Sequence, residues 1–205
     1  MAIKFQYNKT SLGELGKQLK MRQRALPTIK SKESALRVEV SAAKDKAEGY
    51  LHRMEELMER YDYMAALWGE FDKDLLRVKD VELGISKIAG VRIPALKDVV
   101  FEQRPYDLFS SPAWLSDGVE VLKEIARLGI EYEVYQRRTE LLDHARKKTT
   151  QKVNLFEKVQ IPGYQEAVRK IKRFMEDEEN LSKSSQKILK SLQEARARKE
   201  AETAI

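Results

Sequence analysis

Apolar residues recur along the first third of the chain with the alternating three- and four-residue spacing of a coiled-coil seam. The series runs from Leu12 to Val78, and of its twenty positions only Arg22 and Glu33 are neither apolar nor aromatic. The residues between are mostly Lys, Glu, Arg, Asp and Gln, as a solvated helix flank requires. About three or four heptads suffice for a coiled-coil interpretation, so this longer run predicts a long helix.

Residues 1–78 are therefore predicted to form an N-terminal coiled-coil helix. Pro27 lies inside the series. Because a proline ring clashes with the carbonyl four residues before it, we expect a bend or a fresh helix start at that position.

A looser seam of the same kind follows in the second half of the chain, from Leu122 to Ala195. Its spacing shifts around residues 136–150 and again at Pro162–Gly163, as in stutters that alter a supercoil without ending the helix. The apolar face persists on both sides of the proline. Residues 115–205 are thus predicted to form one C-terminal coiled-coil helix kinked near Pro162, and a true turn there is the alternative.

The segment between the two seams, residues 79–114, breaks the heptad pattern. Val91–Ile93 alternates and is rich in β-branched residues, Val99–Phe101 resembles a second short strand, and Pro94 marks a strand end or edge. The segment predicts a β-hairpin and a loop. A two-stranded hairpin is marginal alone in water, so it must pack on the coil or add an edge strand to another protein.

The predicted fold is mainly α, a long antiparallel two-helix coiled coil with a small β-hairpin or irregular segment in its middle. In the simplest pairing, Leu12 and Leu15 lie beside Ile188 and Leu192. This pairing brings the two chain ends together at one pole of the coil.

Composition and charge agree with this fold and exclude several classes of protein. Charged residues make up 35% of the chain and aromatic residues only 8%, which favours long helices over a sheet-rich globule. The net charge of +6 divides into +7 for residues 1–37, −4 for residues 38–182 and +3 for residues 183–205. There is no cysteine, which excludes disulfides and thiolate metal sites. No apolar run approaches the roughly 20 residues that span a bilayer.

Little in the sequence indicates an enzyme. His52 and His144 are the two histidines, and no carboxylate pattern completes a metal site around them. Leu12–Gly16 contains two glycines but lacks the GK[ST] ending of a phosphate-binding loop. We therefore predict no catalytic residue, no cofactor and no bound metal.

The order of several short motifs resembles that of the D subunit of the V-type ATPase and ATP synthase, which occurs in vacuolar, archaeal and bacterial complexes. The matching pieces are Leu19–Lys20 and Lys30-Ser31-Lys32…Leu36 in the first helix, Ile88-Ala89-Gly90-Val91…Pro94 in the middle, and Val153-Asn154…Glu157…Ile161-Pro162 in the second helix. Each motif is weak alone, and the ordered set spans nearly the whole chain.

The resemblance implies a non-catalytic rotor axle, the central stalk that transmits torque between a catalytic hexamer and a membrane ring in proton- or sodium-coupled ATP synthesis or hydrolysis. It implies as partners the A and B subunits of the hexamer, the small F subunit, and the subunit that caps the membrane ring, and no nucleic acid. The protein would be peripheral, on the cytoplasmic side of the membrane, without direct membrane insertion.

Two sets of residues are candidates for these contacts. The first, the basic sleeve, would face the A/B hexamer with mobile cations and comprises Lys17, Lys20, Arg22, Arg24, Lys30, Lys32, Lys187, Lys190, Arg196 and Arg198. The second, the hairpin set, would contact the F subunit or the foot of the stalk and comprises Ile85, Ile88, Val91, Ile93, Val99, Val100 and Phe101. The alternative for the first set is a solubilising flank, and for the second a cover over the coil.

Two other functions fit the same sequence features. A basic coiled coil could neutralise nucleic-acid phosphates with its two ends, although no aromatic residues interleave with the basic runs. A structural stalk of the type III secretion kind would have a similar shape. Binding of nucleic acid at physiological salt without affinity for an A/B hexamer would favour the former.

Overall fold

The computed structural model describes residues 3–72, 74–107, 109 and 111–203, with side chains as far as residue 197. The elements in chain order are α1 (Lys9–Arg60), two 3₁₀ turns (Asp62–Met64 and Leu67–Glu70), β1 (Leu76–Ile88), β2 (Val91–Gln103), α2 (Trp114–Asn154), a π-helical turn (Leu155–Gln160) and α3 (Ile161–Thr203). The predicted class, mainly α with a small hairpin between two long helical stretches, is confirmed. The chain divides into two compact units, residues 1–29 with 151–205 and residues 30–150.

The first helix is shorter than the sequence pattern predicts. It is capped by Asn8, whose Oδ1 accepts a hydrogen bond of 2.7 Å from the Ser11 backbone N–H. It continues through Pro27 without a fresh start and ends at Arg60. The prediction of a helix over residues 1–78 is therefore wrong beyond that point.

The heptad positions beyond Arg60 serve a different purpose. The Trp68 ring lies 6.0 Å from that of Phe71 and 6.4 Å from that of Trp114, both edge-on. These apolar residues thus form an aromatic cluster around two 3₁₀ turns. Apolar spacing reports which residues are buried, and over a short stretch an irregular segment satisfies it as well as a helix does.

The second long helical stretch continues through Pro162, which excludes the turn considered as an alternative. The π-helical turn ends at Gln160 and α-helical geometry resumes at Ile161. Pro162 therefore stands at the start of an α-helical segment, where a missing N–H is tolerated best. The wider π turn before it shifts the carbonyls that its ring would otherwise meet.

The hairpin is longer than predicted and is paired differently. β1 and β2 have 13 residues each and run antiparallel. Val91–Ile93 and Val99–Phe101 both belong to β2, so the expectation that they are separate strands is wrong. Both pair with β1, in which charged residues interrupt the apolar pattern by which a strand is recognised from sequence. The turn is Ala89–Gly90, with φ values of 47° and 80°, the left-handed conformations that a two-residue hairpin turn requires.

The core of the unit formed by residues 30–150 has three layers. Leu36, Val40 and Ala43 of α1 meet Leu142 of α2, and Ile93 of β2 closes the cluster. Leu142 is only 1% exposed. The hairpin thus covers the helix pair and supplies a core residue of its own.

The other unit, residues 1–29 with 151–205, has its own core around Leu15, Ala167 and Ile171. This pairing corrects the predicted register, which placed Leu12 and Leu15 beside Ile188 and Leu192. The stretch before α1 runs across α3, because Ile3 reaches Gly163 and the Tyr7 and Phe174 rings are 4.8 Å apart. A Cβ at Gly163 would lie 3.2 Å from the Ile3 Cδ1, so glycine there makes room for the N-terminal segment.

Candidate partner-binding surfaces

The last part of α3 lies outside the core of its unit. Every residue from 176 to 197 is exposed. Large apolar residues nevertheless recur there with helical spacing; we name them the C-terminal stripe: Leu181, Ile188, Leu189 and Leu192, between 54% and 69% exposed. Scattered exposed leucines are ordinary, but a stripe along one helix face indicates a surface that a partner covers.

Cations flank the C-terminal stripe. Lys187, Lys190 and Arg196 of the basic sleeve are exposed, and the Arg198 side chain lies outside the described residues. Lys183 pairs with Glu179 at 2.7 Å and lowers the pKa of that carboxyl. The end of α3 is therefore both apolar and basic.

The basic sleeve residues of α1 fall into different surroundings. Lys17, Lys20 and Arg24 are exposed in the unit of residues 1–29 with 151–205. Lys30 and Lys32 are exposed in the unit of residues 30–150. The predicted set is thus distributed over both units.

Arg22 differs from the rest of the basic sleeve because it lies in the helix seam. Its Nε donates to the Gln160 Oε1 at 2.7 Å, and its Nη1 donates to the Gln18 side chain at 2.6 Å. Its guanidinium stands 4.4 Å from the centre of the Tyr164 ring, a cation–π distance. The half-buried guanidinium is therefore held by partners of its own chain next to the π-helical turn.

Glu33, the second polar residue of the seam, has one partner on its own helix and one across the seam. Its Oε1 accepts hydrogen bonds from Arg37 at 2.9 Å and from the Thr150 Oγ1 at 3.2 Å. The hydrogen bond from Arg37 is the main cause of its lowered pKa, opposed by partial burial. Both exceptions to the heptad pattern are thus polar contacts that fix which residues face each other.

The hairpin set divides into residues that the chain already covers and residues that it leaves open. Ile93 and Val99 are buried, and Ile88 and Val91 pack against the cluster around Leu36. Ile85, by contrast, is 79% exposed. The remaining two members of the set lie between these extremes, since Val100 is 36% exposed and Phe101 is half-buried.

Polar contacts fasten β2 along α2. The Arg138 Nε donates to the backbone carbonyl of Pro94. Arg127 reaches the Asp98 carboxylate at 3.4 Å, and Lys123 donates to the Gln103 Oε1 at 2.8 Å. Because these bonds repeat along the strand, the hairpin is held against the helix over much of its length.

A mainly apolar cavity, open to solvent on one side, lies beside the aromatic cluster in the unit of residues 30–150. Its volume is about 560 Å³, and its lining combines apolar residues such as Met58, Trp68 and Leu122 with the carboxylates of Glu59 and Asp62. The sequence pattern indicates these aromatic residues as core or as a foot contact but gives no sign of a cavity. Its apolar walls suit a protein side chain better than a polar ligand.

The His52 Nε2 lies 3.3 Å from the Glu56 carboxylate on the same helix. Among the described residues there is no group of three or more side chains that could hold a metal ion.

In the part of the chain that the structure describes, no helix has the length and apolarity needed to cross a membrane.

Comparison with known proteins identifies the family of the chain. Residues 11–191 match the model of the ATP synthase D subunit family. The D subunit of a V-type ATP synthase from Borreliella burgdorferi is 30% identical over 191 residues, covering 92% of this chain and 94% of that protein. The protein of the same name from Chlamydia muridarum is 34% identical over 162 residues, 74% of this chain and 77% of its own length. The chain belongs to the ATP synthase D subunit family.

Proposed function

We propose that this chain is the non-catalytic central-stalk subunit, or rotor axle, of a rotary V-type ATP synthase or ATPase. Its partners are the A and B subunits of the catalytic hexamer, the F subunit, and the subunit that caps the membrane ring, on the cytoplasmic side of the membrane. The observation that carries the proposal is the exposed, basic and apolar end of α3, which continues from a helix pair with an ordinary core. Family membership supports the same assignment.

The chemistry of the end of α3 suits a shaft that must turn in a collar. Leu181, Ile188 and Leu192 form an exposed apolar face, and the residues that helical spacing places between the first two of them are the small Ser184 and Ser185. Lysines and arginines around it carry their charge on long flexible stems, which attract acidic surfaces without a tight fit. Together these features favour strong retention with a weak preference for any one rotational position.

The A/B-facing surface in this proposal is the basic sleeve together with the C-terminal stripe. Because Arg22 is engaged in the seam, its contribution is to hold the helix pair, and the exposed lysines and arginines contribute the attraction. The hairpin set remains the proposed contact for the F subunit or the foot of the stalk through those members that the chain leaves exposed, since Ile93 and Val99 are buried within the chain.

Charge reversal tests the assignment. Lys20, Lys187, Lys190 and Arg196 are replaced by Glu together, and capture of the purified A/B hexamer is measured over a range of salt concentrations. We expect binding to weaken at low salt and its salt dependence to flatten, because fewer charges are neutralised at the interface. Unchanged binding and unchanged salt dependence would contradict the sleeve.

The matched control reverses four exposed cations outside the basic sleeve, Lys44, Arg53, Lys147 and Lys148, and should bind like the parent chain.

A second readout addresses rotation itself. Since the chain has no cysteine, a Lys148→Cys variant takes a single probe, whose rotation against a fixed A/B hexamer is followed during ATP hydrolysis. A probe that stays fixed while ATP is consumed would rule out the axle, and binding to DNA without binding to the hexamer would favour the nucleic-acid alternative.

A further inference from the structure

The tip of the hairpin has two faces with opposite character. Strand alternation places Ile88, Val91 and Ile93 on the inner face, which packs against the helices. The opposite side, here named the outer tip face, is formed by three cross-strand pairs: Leu83 with Leu96, Ile85 with Pro94, and Lys87 with Arg92. The outer tip face is therefore the part of the hairpin that remains available for contact.

The apolar part of the outer tip face is unusually open. Ile85 is 79% exposed and Leu83 is 53% exposed. Their partners across the strands, Pro94 and Leu96, are half-buried. The register places these two pairs next to each other on the same face, as an apolar patch. Exposed aliphatic side chains are unfavourable in water, so a partner that covers this patch gains from burying it.

The charged part of the outer tip face is unfavourable within the isolated chain. Lys87 and Arg92 stand directly opposite each other on neighbouring strands, and both are exposed. Like charges in this position destabilise a hairpin. Lys32 of α1 reaches the tip turn, since its Nζ lies 3.4 Å from where a Cβ of Gly90 would stand. Among the described residues, no ion pair joins Lys87 or Arg92 to a carboxylate.

The hairpin presents this surface on a fixed support. Ile93 is buried in the cluster of Leu36 and Leu142, and Arg138 holds the backbone of Pro94 from α2. The tip turn is set by the left-handed conformations of Ala89 and Gly90. A surface held in this way loses little conformational freedom when a partner covers it.

We propose that the outer tip face is a docking site for a partner protein that presents an apolar patch bordered by aspartate or glutamate. Charge complementarity selects this occupant. Carboxylates would relieve the repulsion between Lys87 and Arg92, whereas the same face of a second copy would bring further cations and no carboxylate. The inference rests on the proposed function. It assigns the partner contact of the hairpin to the outer tip face, and Ile85 is the one member of the hairpin set that belongs to this face.

The test uses the complex reconstituted from the full chain with purified A/B hexamer, F subunit and ring-cap subunit. A photo-reactive amino acid replaces Ile85, and the crosslinked peptide is identified after illumination. We expect one subunit to be captured, at a peptide that combines apolar residues with Asp or Glu. Crosslinks only within this chain, or only to added lipid or nucleic acid, would overturn the proposal.

Two variants measure the energetic contribution of this face. Ile85→Ser should weaken binding of the captured subunit about tenfold, the size of a moderate interface residue. Reversal of both cations, Lys87→Glu with Arg92→Glu, should weaken it similarly and should also reduce its salt dependence. Val78→Ser and Lys79→Glu, exposed on the same hairpin nearer its base, are the matched controls and should bind like the parent chain.

The outcomes separate this inference from the proposed function. If the parent chain assembles with the hexamer and all these variants bind within about twofold of it, the docking site is wrong and the axle is unaffected. If the parent chain binds none of the three purified partners, the proposed function fails first. Circular dichroism and thermal melting of the free variants show whether any loss of binding comes from a hairpin that has not folded.

Discussion

The C-terminal half of the chain contains two stretches with similar apolar spacing and opposite surroundings. In α2, the side chains around Leu142 are buried by α1 and by the hairpin. In α3 beyond Met175, the C-terminal stripe repeats leucine and isoleucine at helical spacing, and every residue as far as 197 is exposed. The apolar residues of the first stretch are buried within the chain, whereas those of the second stretch are exposed.

This difference shows what a heptad pattern does and does not specify. The pattern indicates that one face of the helix is buried against something, because exposed apolar area is unfavourable in water. It does not indicate whether the element that packs on this face belongs to the same chain or to another subunit. A seam that continues beyond its own partner helix is therefore evidence for another subunit.

The largest expected effect concerns the covered stretch. Leu142→Ala leaves a cavity in the three-layer core and should lower the free energy of unfolding by about 2–5 kcal/mol. Urea denaturation followed by circular dichroism measures this loss. Leu181→Ala, on the exposed stretch, is the matched control and should change the same quantity by less than about 0.5 kcal/mol. Similar losses for the two variants would remove the distinction between the stretches.

In the exposed stretch, substitutions should weaken partner binding and leave the stability of the free chain unchanged. Replacement of Ile188 and Leu192 by Ser removes apolar area that only a partner covers. We expect the free energy of unfolding of the free chain to stay within about 0.5 kcal/mol of the parent. Affinity for the A/B hexamer should fall at least about tenfold. A variant that assembles normally would show that the C-terminal stripe does not contact the hexamer.

A substitution in the hairpin turn should change the free energy of unfolding by a smaller amount and in the opposite direction. Ala89 has a φ of 47°, a left-handed conformation that costs a residue with a Cβ roughly 1–2 kcal/mol. Asparagine tolerates this region better, so Ala89→Asn should raise the free energy of unfolding by up to about 1 kcal/mol. Ala89→Val, whose β-branch is incompatible with the turn, should lower it. Chemical denaturation of both variants checks the sign, and equal stabilities would contradict the strained turn.

The smallest effect is a dependence on pH. Hydrogen bonding to Arg37 lowers the pKa of Glu33 in the folded chain. The stability that this contact contributes is present above the ordinary pKa of a glutamate and is lost as the pH falls through the lowered folded pKa. Glu33→Gln should therefore reduce the stability difference between neutral and acidic solution by less than about 1 kcal/mol. Thermal unfolding across the acid range measures it, and an unchanged pH profile would show that the contact is absent in solution.

The sequence predicts the helices well where the apolar seam is long. Leu36, Val40 and Ala43 follow the heptad spacing and are buried as expected. The same spacing fails beyond Arg60, because a few aromatic residues at heptad positions are compatible with an irregular cluster. A long series of matching positions carries information that a short series lacks.

The register of the helix pair is beyond what apolar spacing can specify. Shifting one leucine-rich seam past another by a few turns again opposes apolar residues, so many alignments look equivalent. In the structure Arg22 meets Gln160, and Glu33 meets Thr150. The predicted pairing of Leu15 with Ile188 would bring the same two residues near Glu178 and Lys170, so the polar exceptions do not distinguish the alignments from sequence alone.

The N-terminal segment carries a simple signal that the heptad pattern does not include. Ile3, Phe5 and Tyr7 alternate with polar residues, the pattern of an extended chain with one covered side. Asn8 then caps α1. The function of Gly163 as the place where Ile3 docks could not be predicted, because it depends on a contact between residues distant in sequence.

Hydrogen–deuterium exchange of residues 181–195, in the free chain and in the chain assembled with the A/B hexamer, tests the role of α3 most directly. We expect rapid amide exchange in the free chain, where this helix lies outside the core of its unit, and strong protection after assembly. We also expect the amides around Leu142 to be protected in both states. Exchange at residues 181–195 that stays rapid in the assembled complex would contradict the proposal that the hexamer holds the end of α3.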